Sequence, residues 1–180
     1  MSESSANARQ GRLVHKLCSI LDAFNDILGK TAAWLVVFMV LVQIFVVSVR
    51  SILNSGSLAV EDSILYMHAS LIVCCLAFTL KHDGHVRVDV FYHRFSPLTK
   101  AWVNALGSVV FLLPFAAFIF FASLDYSISA FHNREGSGDA GGLDLVYFLK
   151  ALVSLAGALL FLQGLSMILH NLLVLTFKSE

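Results

Sequence analysis

The sequence KHDGHVRVDVFYHRFSPLTK, residues 81–100, is the one long polar interruption between segments that are otherwise almost entirely apolar. Two apolar segments precede it and two follow it. Over the whole chain, 58% of the 180 residues are hydrophobic and only 13% are charged. Soluble domains carry about 25% charged residues, so this chain lacks the polar side chains that would cover a water-facing surface. The composition therefore predicts an integral membrane protein whose spans are divided into two pairs.

The apolar segments predict one all-α membrane domain, residues 1–180, with four transmembrane helices. Crossing about 30 Å of hydrocarbon requires roughly 20 apolar residues. The expected spans are about 31–50, 60–80, 101–124 and 147–176. Residues 1–11 are small and polar, which predicts a disordered tail. In the last span, Gly157 and Ala158 are small enough to permit close contact with another helix.

Residues 12–29 alternate between apolar and polar side chains at helical spacing. The polar face contains Lys16, Ser19, Asp22, Asn25 and Asp26. Such a segment predicts an amphipathic helix that lies at the membrane interface. The alternative is a helix that extends the first span or packs on a partner.

The basic residues are distributed unequally between the two sides of a four-span protein. The side with both termini and the central loop carries Arg9, Arg12, Lys16, Lys30, Lys81, Arg87, Arg94, Lys100 and Lys178, and the other side carries Arg50, Arg134 and Lys150. Short cytoplasmic segments are the ones enriched in Lys and Arg. Both termini and the central loop are therefore expected to be cytoplasmic.

The interiors of the four predicted spans contain no Asp, Glu, Lys or Arg. A protein that moves a polar substrate by itself normally keeps an ionisable group within the membrane. We therefore expect no autonomous transport, no catalytic residue and no cofactor. Gln43 and Gln163 are polar side chains within the spans, and such side chains usually hydrogen-bond a neighbouring helix.

The histidines raise the possibility of haem or metal binding. Only His68 and His170 lie within spans, and the predicted topology places them toward opposite sides, where they would not share an iron. The loop residues His82, Asp83, His85, Asp89 and His93 match no zinc spacing. The glycine-rich stretch 134–144 lacks the Lys-Ser/Thr ending of a phosphate loop, so a nucleotide site is not expected. Neither a metal site nor a nucleic-acid partner is predicted.

The central loop alternates valines with Arg87 and Asp89, and its basic residues lie within reach of anionic lipid headgroups. We interpret it as a re-entrant or surface-lying anchor between the two helix pairs. His85, Arg87, Asp89 and Arg94 are its candidate structural or interface residues.

Three blocks of sequence carry a resemblance to a known family. They are Glu61-Asp62, the sequence GHVRVDVF at 84–91 leading through Arg94 and Pro97, and LVYFLKALVSLAGALLFLQGLS at 145–166. With the four spans, these blocks make the chain resemble the DctQ-like small permease subunit of tripartite ATP-independent periplasmic (TRAP) transporters. His68 departs from the family, whose members often have tryptophan in this region, and we expect it to affect packing.

The resemblance implies a multi-pass subunit of a sodium-coupled secondary transporter in the bacterial inner membrane, and not an enzyme. Its partners would be a DctM-like large membrane subunit, a DctP-like periplasmic solute-binding protein that delivers an organic anion (a carboxylate or sulfonate), and membrane lipids. The small subunit would anchor the large one, with Gln43 and Gln163 as interhelical contacts, and would have no substrate site. Arg50, Glu61 and Arg134 would help to dock the binding protein.

Other classes of protein remain as alternatives. The chain could be a structural four-helix subunit of another membrane complex, an independent small transporter or a small haem-binding redox protein. Co-elution with a large partner that has many spans, and the absence of haem absorption, would separate the preferred interpretation from these.

Overall fold

The structure is a computed structural model, and it describes residues 2–82, 84, 92 and 94–177. Every regular element in these ranges is helical. The helices are α1 (Ser2–Leu53), α2 (Leu58–Lys81), α3 (Pro97–Gly107), a π-helical turn (Ser108–Leu112), α4 (Leu113–His132) and α5 (Val146–Phe177). The segments long and apolar enough to cross a membrane are Cys18–Leu53, Leu58–Lys81, Pro97–His132 and Val146–Leu175. The prediction of an all-α protein with four membrane spans is confirmed.

α1 is one continuous helix that includes residues which the sequence assigned to three elements. The predicted tail and the amphipathic segment 12–29 run without a break into the first span. The predicted tail contains no proline, so no residue in it interrupts the helix, although Asn7 and Gly11 are weak helix formers. α1 lies close to α2 at Gly29: a Cβ added there would come within about 2.5 Å of the Phe78 side chain.

α5 is the central helix of the fold. It contacts α1, α2, α3 and α4, whereas α2 shares no extensive interface with α3 or α4 in the described residues. Half of the apolar window of α5 is buried (50%), compared with 11% for α1. α1, α2 and α5 therefore pack against one another, and the third span packs on another side of α5. The result is not a closed four-helix bundle.

The interface between α4 and α5 is built from small side chains. A Cβ at Gly157 would come within 2.7 Å of the backbone nitrogen of Phe120, so the two helices are in close contact there. One turn away, the hydroxyl of Ser154 lies 2.8 Å from those of both Ser123 and Ser127. Small residues and hydroxyl pairs are the usual means by which helices associate in lipid. The expectation of close helix contact at Gly157 is confirmed.

The third span begins at Pro97, with Ser96 as its N-cap. The Ser96 hydroxyl accepts a hydrogen bond from the Thr99 backbone N–H at 3.2 Å, and proline suits the first helical position because it has no N–H to satisfy. The helix contains the π-helical turn just before Pro114, in which the Leu113 N–H donates to the Ser108 carbonyl. A proline inside a helix removes one regular hydrogen bond, and a π turn is one local adjustment that rearranges the others.

The third span also extends beyond the expected boundary at Leu124, as far as His132. Ser127 and Ala130 of this extension are buried, so packing keeps the last two turns helical although Asp125 is charged. The second connection is correspondingly shorter and comprises residues 133–145.

Both short connections, residues 54–57 and 133–145, lie at the same end of the molecule, which we call the connector end. Two hydrogen bonds from α2 hold the longer connection: the Leu143 N–H donates to Asp62 Oδ2 at 2.9 Å, and the Tyr66 hydroxyl donates to the Leu143 carbonyl at 3.4 Å. The opposite end, where α1 begins and α5 terminates, is called the termini end. Whether the termini end faces the cytoplasm stays a prediction from the basic residues.

Candidate functional site

The described residues contain no group of three or more His, Cys, Asp or Glu side chains that could hold a metal ion. Their cysteines, Cys18, Cys74 and Cys75, are free thiols. The features that could serve a function are therefore polar clusters at the two ends of the helices, and grooves that open toward lipid or a partner.

Two of the three docking candidates are paired with each other at the connector end. The Arg50 guanidinium donates a hydrogen bond to the Glu61 carboxylate, and the ion pair joins the end of α1 to the start of α2. The Arg50 side chain remains 63% exposed. A partially exposed pair of this kind is screened by solvent and contributes little to stability. It links the two helix ends and leaves charge accessible at the surface.

Arg134, the third docking candidate, lies after the end of α4. Its φ of 47° is left-handed, a conformation that commonly terminates a helix. Its side chain is exposed and forms no ion pair with any described residue. The neighbouring Glu135 is paired with Lys150 of α5, whose ammonium group also lies 3.9 Å from the centre of the Tyr126 ring.

The connector end carries a net negative charge. Its basic residues are Arg50, Arg134 and Lys150, and its acidic residues are Glu61, Asp62, Asp125, Glu135, Asp139 and Asp144. Glu61 and Glu135 are neutralised by ion pairs, and Asp62 accepts the Leu143 N–H. Among the described residues of this surface, Arg134 is the one basic side chain without an ion pair. Three exposed acidic residues among them also have no ion pair: Asp125, Asp139 and Asp144. A partner that approaches this end would therefore be attracted if its own surface were basic.

The termini end contains a buried polar cluster that joins α1 to α5. Asn25 Nδ2 donates to Gln163 Oε1, and Gln163 Nε2 donates to Asp22 Oδ1 at 3.3 Å. Ser166 donates to the same Asp22 oxygen at 2.9 Å. Asn25, Gln163 and Ser166 are 1%, 2% and 2% exposed. Gln163, one of the predicted interface residues, therefore makes its hydrogen bonds inside the chain.

A second set of contacts at this end joins α1 to α2. Lys81 Nζ lies 2.8 Å from Asp26 Oδ2 and donates to the Asp22 carbonyl at 3.1 Å. The ring of His82 lies 3.7 Å from the same carboxylate. The sequence placed Asp22, Asn25 and Asp26 on the polar face of a helix at the membrane interface. In the structure these three side chains face α2 and α5. Their spacing of i, i+3 and i+4 places them on one face of a helix, so the sequence could have indicated a shared contact surface if the helix had been predicted to continue into the first span.

The other predicted interface residues are placed differently. Gln43 lies on an exposed side of α1 and has no hydrogen-bond partner in the described part of the chain. Arg94 is exposed shortly before α3. His85, Arg87 and Asp89 lie outside the described residues.

An apolar groove of about 600 Å³ opens beside the third span. Its walls include Val103, Phe111 and Phe115. Near its end at the central loop, the Tyr92 hydroxyl accepts a hydrogen bond from Asn104 at 2.9 Å, and Lys100 Nζ lies 5.2 Å from the centre of the Tyr92 ring. Aromatic and basic side chains in this position are typical of the boundary between hydrocarbon and headgroups.

Taken together, the fold and these clusters define a multi-pass membrane protein whose buried polar side chains connect its own helices. Residues 34–173 match the family model described as tripartite ATP-independent periplasmic transporters, DctQ component. The match covers more than half of the chain, and the chain belongs to this family of small membrane subunits of TRAP transporters. The resemblance noted from the sequence is confirmed. Searches among curated proteins and among solved structures found no significant match.

Proposed function

We propose that this chain is the small membrane subunit of a sodium-coupled TRAP transporter in the bacterial inner membrane. The transporter would import an organic anion, a carboxylate or a sulfonate, that a DctP-like periplasmic binding protein delivers. The small subunit anchors a DctM-like large membrane subunit and helps to dock the binding protein. It contributes no substrate or sodium site and catalyses no reaction.

The observation that carries this proposal is the use of the chain's buried polar side chains. Asp22, Asn25, Gln163 and Ser166 hydrogen-bond between α1 and α5, and the serines of α4 and α5 hydrogen-bond with one another. A transport site requires polar groups that face a cavity and exchange partners with a substrate. Here such groups hold helices together, which supports a static role.

A static anchor is expected to expose most of its helix surface to lipid or to a partner and to bury little of it within the chain. Only 11% of the apolar window of α1 is buried, and 17% in each of α2 and the third span. The helices are therefore covered by lipid or by another membrane protein over most of their surface. Membrane lipids and the large subunit are the two partners that fit this surface.

The connector end supports the docking role. If the positive-inside rule sets the orientation, this end faces the periplasm, where the binding protein is located. Arg50, Glu61 and Arg134 are all at least partly exposed there, on a surface with excess negative charge. Opposite charges on a binding protein would accelerate its encounter with the membrane complex.

The central loop has a separate role in the proposal: it anchors the two helix pairs through Arg87 and Asp89, which lie outside the described residues. Replacing either residue should lower the yield of the assembled membrane complex, measured by affinity purification of the large subunit. Undiminished yield in both variants would contradict the hypothesis.

The proposal is tested by producing the chain together with a DctM-like large subunit and a DctP-like binding protein from the same organism. We expect a large subunit with many spans to co-purify with the tagged chain, and proteoliposomes of the complex to take up an organic anion only with a sodium gradient and the binding protein. Co-purification with an unrelated complex would instead support the structural-subunit alternative. A haem absorption band would support the redox alternative.

A further inference from the structure

A groove lies between α1 and α2 in the half of the molecule nearest the connector end. We call it the α1–α2 groove; its volume is about 400 Å³, and its walls include Gln43, Val47 and Arg50 of α1 and Glu61, Leu65 and His68 of α2. The Arg50–Glu61 ion pair lies at one end of the groove. Gln43 and His68 lie further from the connector end.

The ion pair gives the depth of the two polar side chains. Gln43 precedes Arg50 by seven residues, and His68 follows Glu61 by seven residues. At 1.5 Å per residue, both lie about 10 Å further into the membrane than the ion pair. Because the hydrocarbon region is about 30 Å thick, side chains at this depth are surrounded by lipid tails unless a protein covers them.

Gln43 and His68 differ from the serines nearest to them in the same two helices. Ser48 donates to the Ile44 carbonyl at 2.7 Å, and Ser70 donates to the Tyr66 carbonyl at 2.8 Å, so these hydroxyls are satisfied within their own helices. Gln43 and His68 are exposed, and neither has a hydrogen-bond partner among the residues described. Lipid tails have no donors or acceptors, so an amide and an imidazole at this depth are costly to leave uncovered.

We propose that the α1–α2 groove receives a transmembrane helix of the large subunit, and that this helix presents a hydroxyl or amide side chain to Gln43 and His68. The inference rests on the proposed function and adds the face through which the large subunit is bound. The amide of Gln43 and the imidazole of His68 both offer polar nitrogen or oxygen atoms for hydrogen bonds, which suits a Ser, Thr, Asn or Gln partner. On the aromatic face of α4, Phe115, Phe118 and Phe121 are all more than half exposed. These side chains carry no such groups, and we expect them to face lipid.

Site-specific photo-crosslinking tests the face directly. The crosslinker p-benzoylphenylalanine is introduced at Val47 or at Leu65, which are 53% and 56% exposed in the groove, and at Phe118, which is 70% exposed on the aromatic face. Membranes that contain the full complex are irradiated, and the adducts are identified by mass spectrometry. We expect adducts with the large subunit from Val47 and Leu65, and only lipid adducts from Phe118.

Three results would overturn the inference: lipid adducts alone from both groove positions, adducts with a second copy of this chain, or adducts with the large subunit from Phe118 but from neither groove position. These results are distinguishable from failure of the proposed function. If the unmodified chain co-purifies with no large subunit, the proposed function fails; if it does co-purify but the crosslinks map elsewhere, only the face is wrong.

Substitution of the polar groups provides a second measurement. Hydrogen bonds between membrane helices are weak on average, so Gln43→Leu and His68→Leu should each raise the dissociation constant for the large subunit about threefold, and the double variant about tenfold. Phe118→Leu is the control and should leave that constant unchanged. An unchanged constant in the double variant would show that neither group has a partner in the complex.

Discussion

Replacing Gln163 by leucine should destabilise the chain strongly, because Gln163 connects two polar residues of α1. The substitution removes the hydrogen bonds from Asn25 Nδ2 and to Asp22 Oδ1. Asn25 is 1% exposed, and its Oδ1 already has no hydrogen-bond partner in the described structure, so the variant leaves its whole amide unsatisfied. Asp22 keeps the hydrogen bond from Ser166 at 2.9 Å.

The magnitude follows from these contacts. Leaving a buried polar group unsatisfied costs about 1–3 kcal/mol. Hydrogen bonds between membrane helices average about 0.6 kcal/mol and reach about 1.7, which favours the lower part of that range. We expect Gln163→Leu to lower the free energy of unfolding by about 1.5 kcal/mol.

The measurement is reversible unfolding in mixed detergent and SDS micelles, followed by circular dichroism. Gln43→Leu is the matched control: it makes the same chemical change at an exposed position without a partner in the described chain, so the isolated subunit should change by less than about 0.5 kcal/mol. The double variant Asn25→Leu with Gln163→Leu should recover about 1 kcal/mol relative to the sum of the single variants, because neither orphaned amide remains. Equal effects of Gln163→Leu and Gln43→Leu, or strict additivity in the double variant, would refute the reasoning.

The remaining predictions concern helix packing, docking and orientation. Gly157→Leu should separate α4 from α5 and reduce the folded yield in detergent, measured by size-exclusion chromatography, whereas Gly138→Ala, where an added Cβ meets nothing within 4 Å, should not. Charge reversal at Arg50, Glu61 or Arg134 should weaken uptake that depends on the binding protein without loss of the membrane complex; normal uptake kinetics in all three variants would count against docking at these residues. A cysteine at Gly138, in a background without the native cysteines, should react with an impermeant maleimide added to spheroplasts. If this cysteine were labelled in inverted vesicles but not in spheroplasts, the orientation would be the reverse of the one proposed.

Much of the architecture could be predicted from local sequence. The number of spans follows from apolar length, since about 20 consecutive apolar residues are needed and the chain has four such runs. Ser96-Pro97 marks the start of the third span because the serine hydroxyl caps the helix and proline suits its first position. The membership in the DctQ family was also readable, since the blocks that carry it are contiguous in the chain.

Element boundaries were less predictable where packing overrides polarity. The third span continues past Asp125 because Ser127 and Ala130 are buried. α1 continues through a polar segment because Asp22, Asn25 and Asp26 find partners on α2 and α5. From the sequence alone, a polar residue predicts the boundary of a membrane span. In the folded chain, the same residue can lie within the packed interior if a side chain of another helix pairs with it.

Gln43 and Gln163 separate what the sequence by itself determined from what only the tertiary structure decided. The sequence establishes that both are amides within apolar spans, and that each requires a hydrogen-bond partner. In the structure, Gln163 of α5 is only 2% exposed at the interface with α1, where it is hydrogen-bonded to Asn25 and Asp22. Gln43 remains exposed at the α1–α2 groove. The physical reason is that helical periodicity defines the faces of a helix, whereas neighbours distant in sequence determine which face is covered.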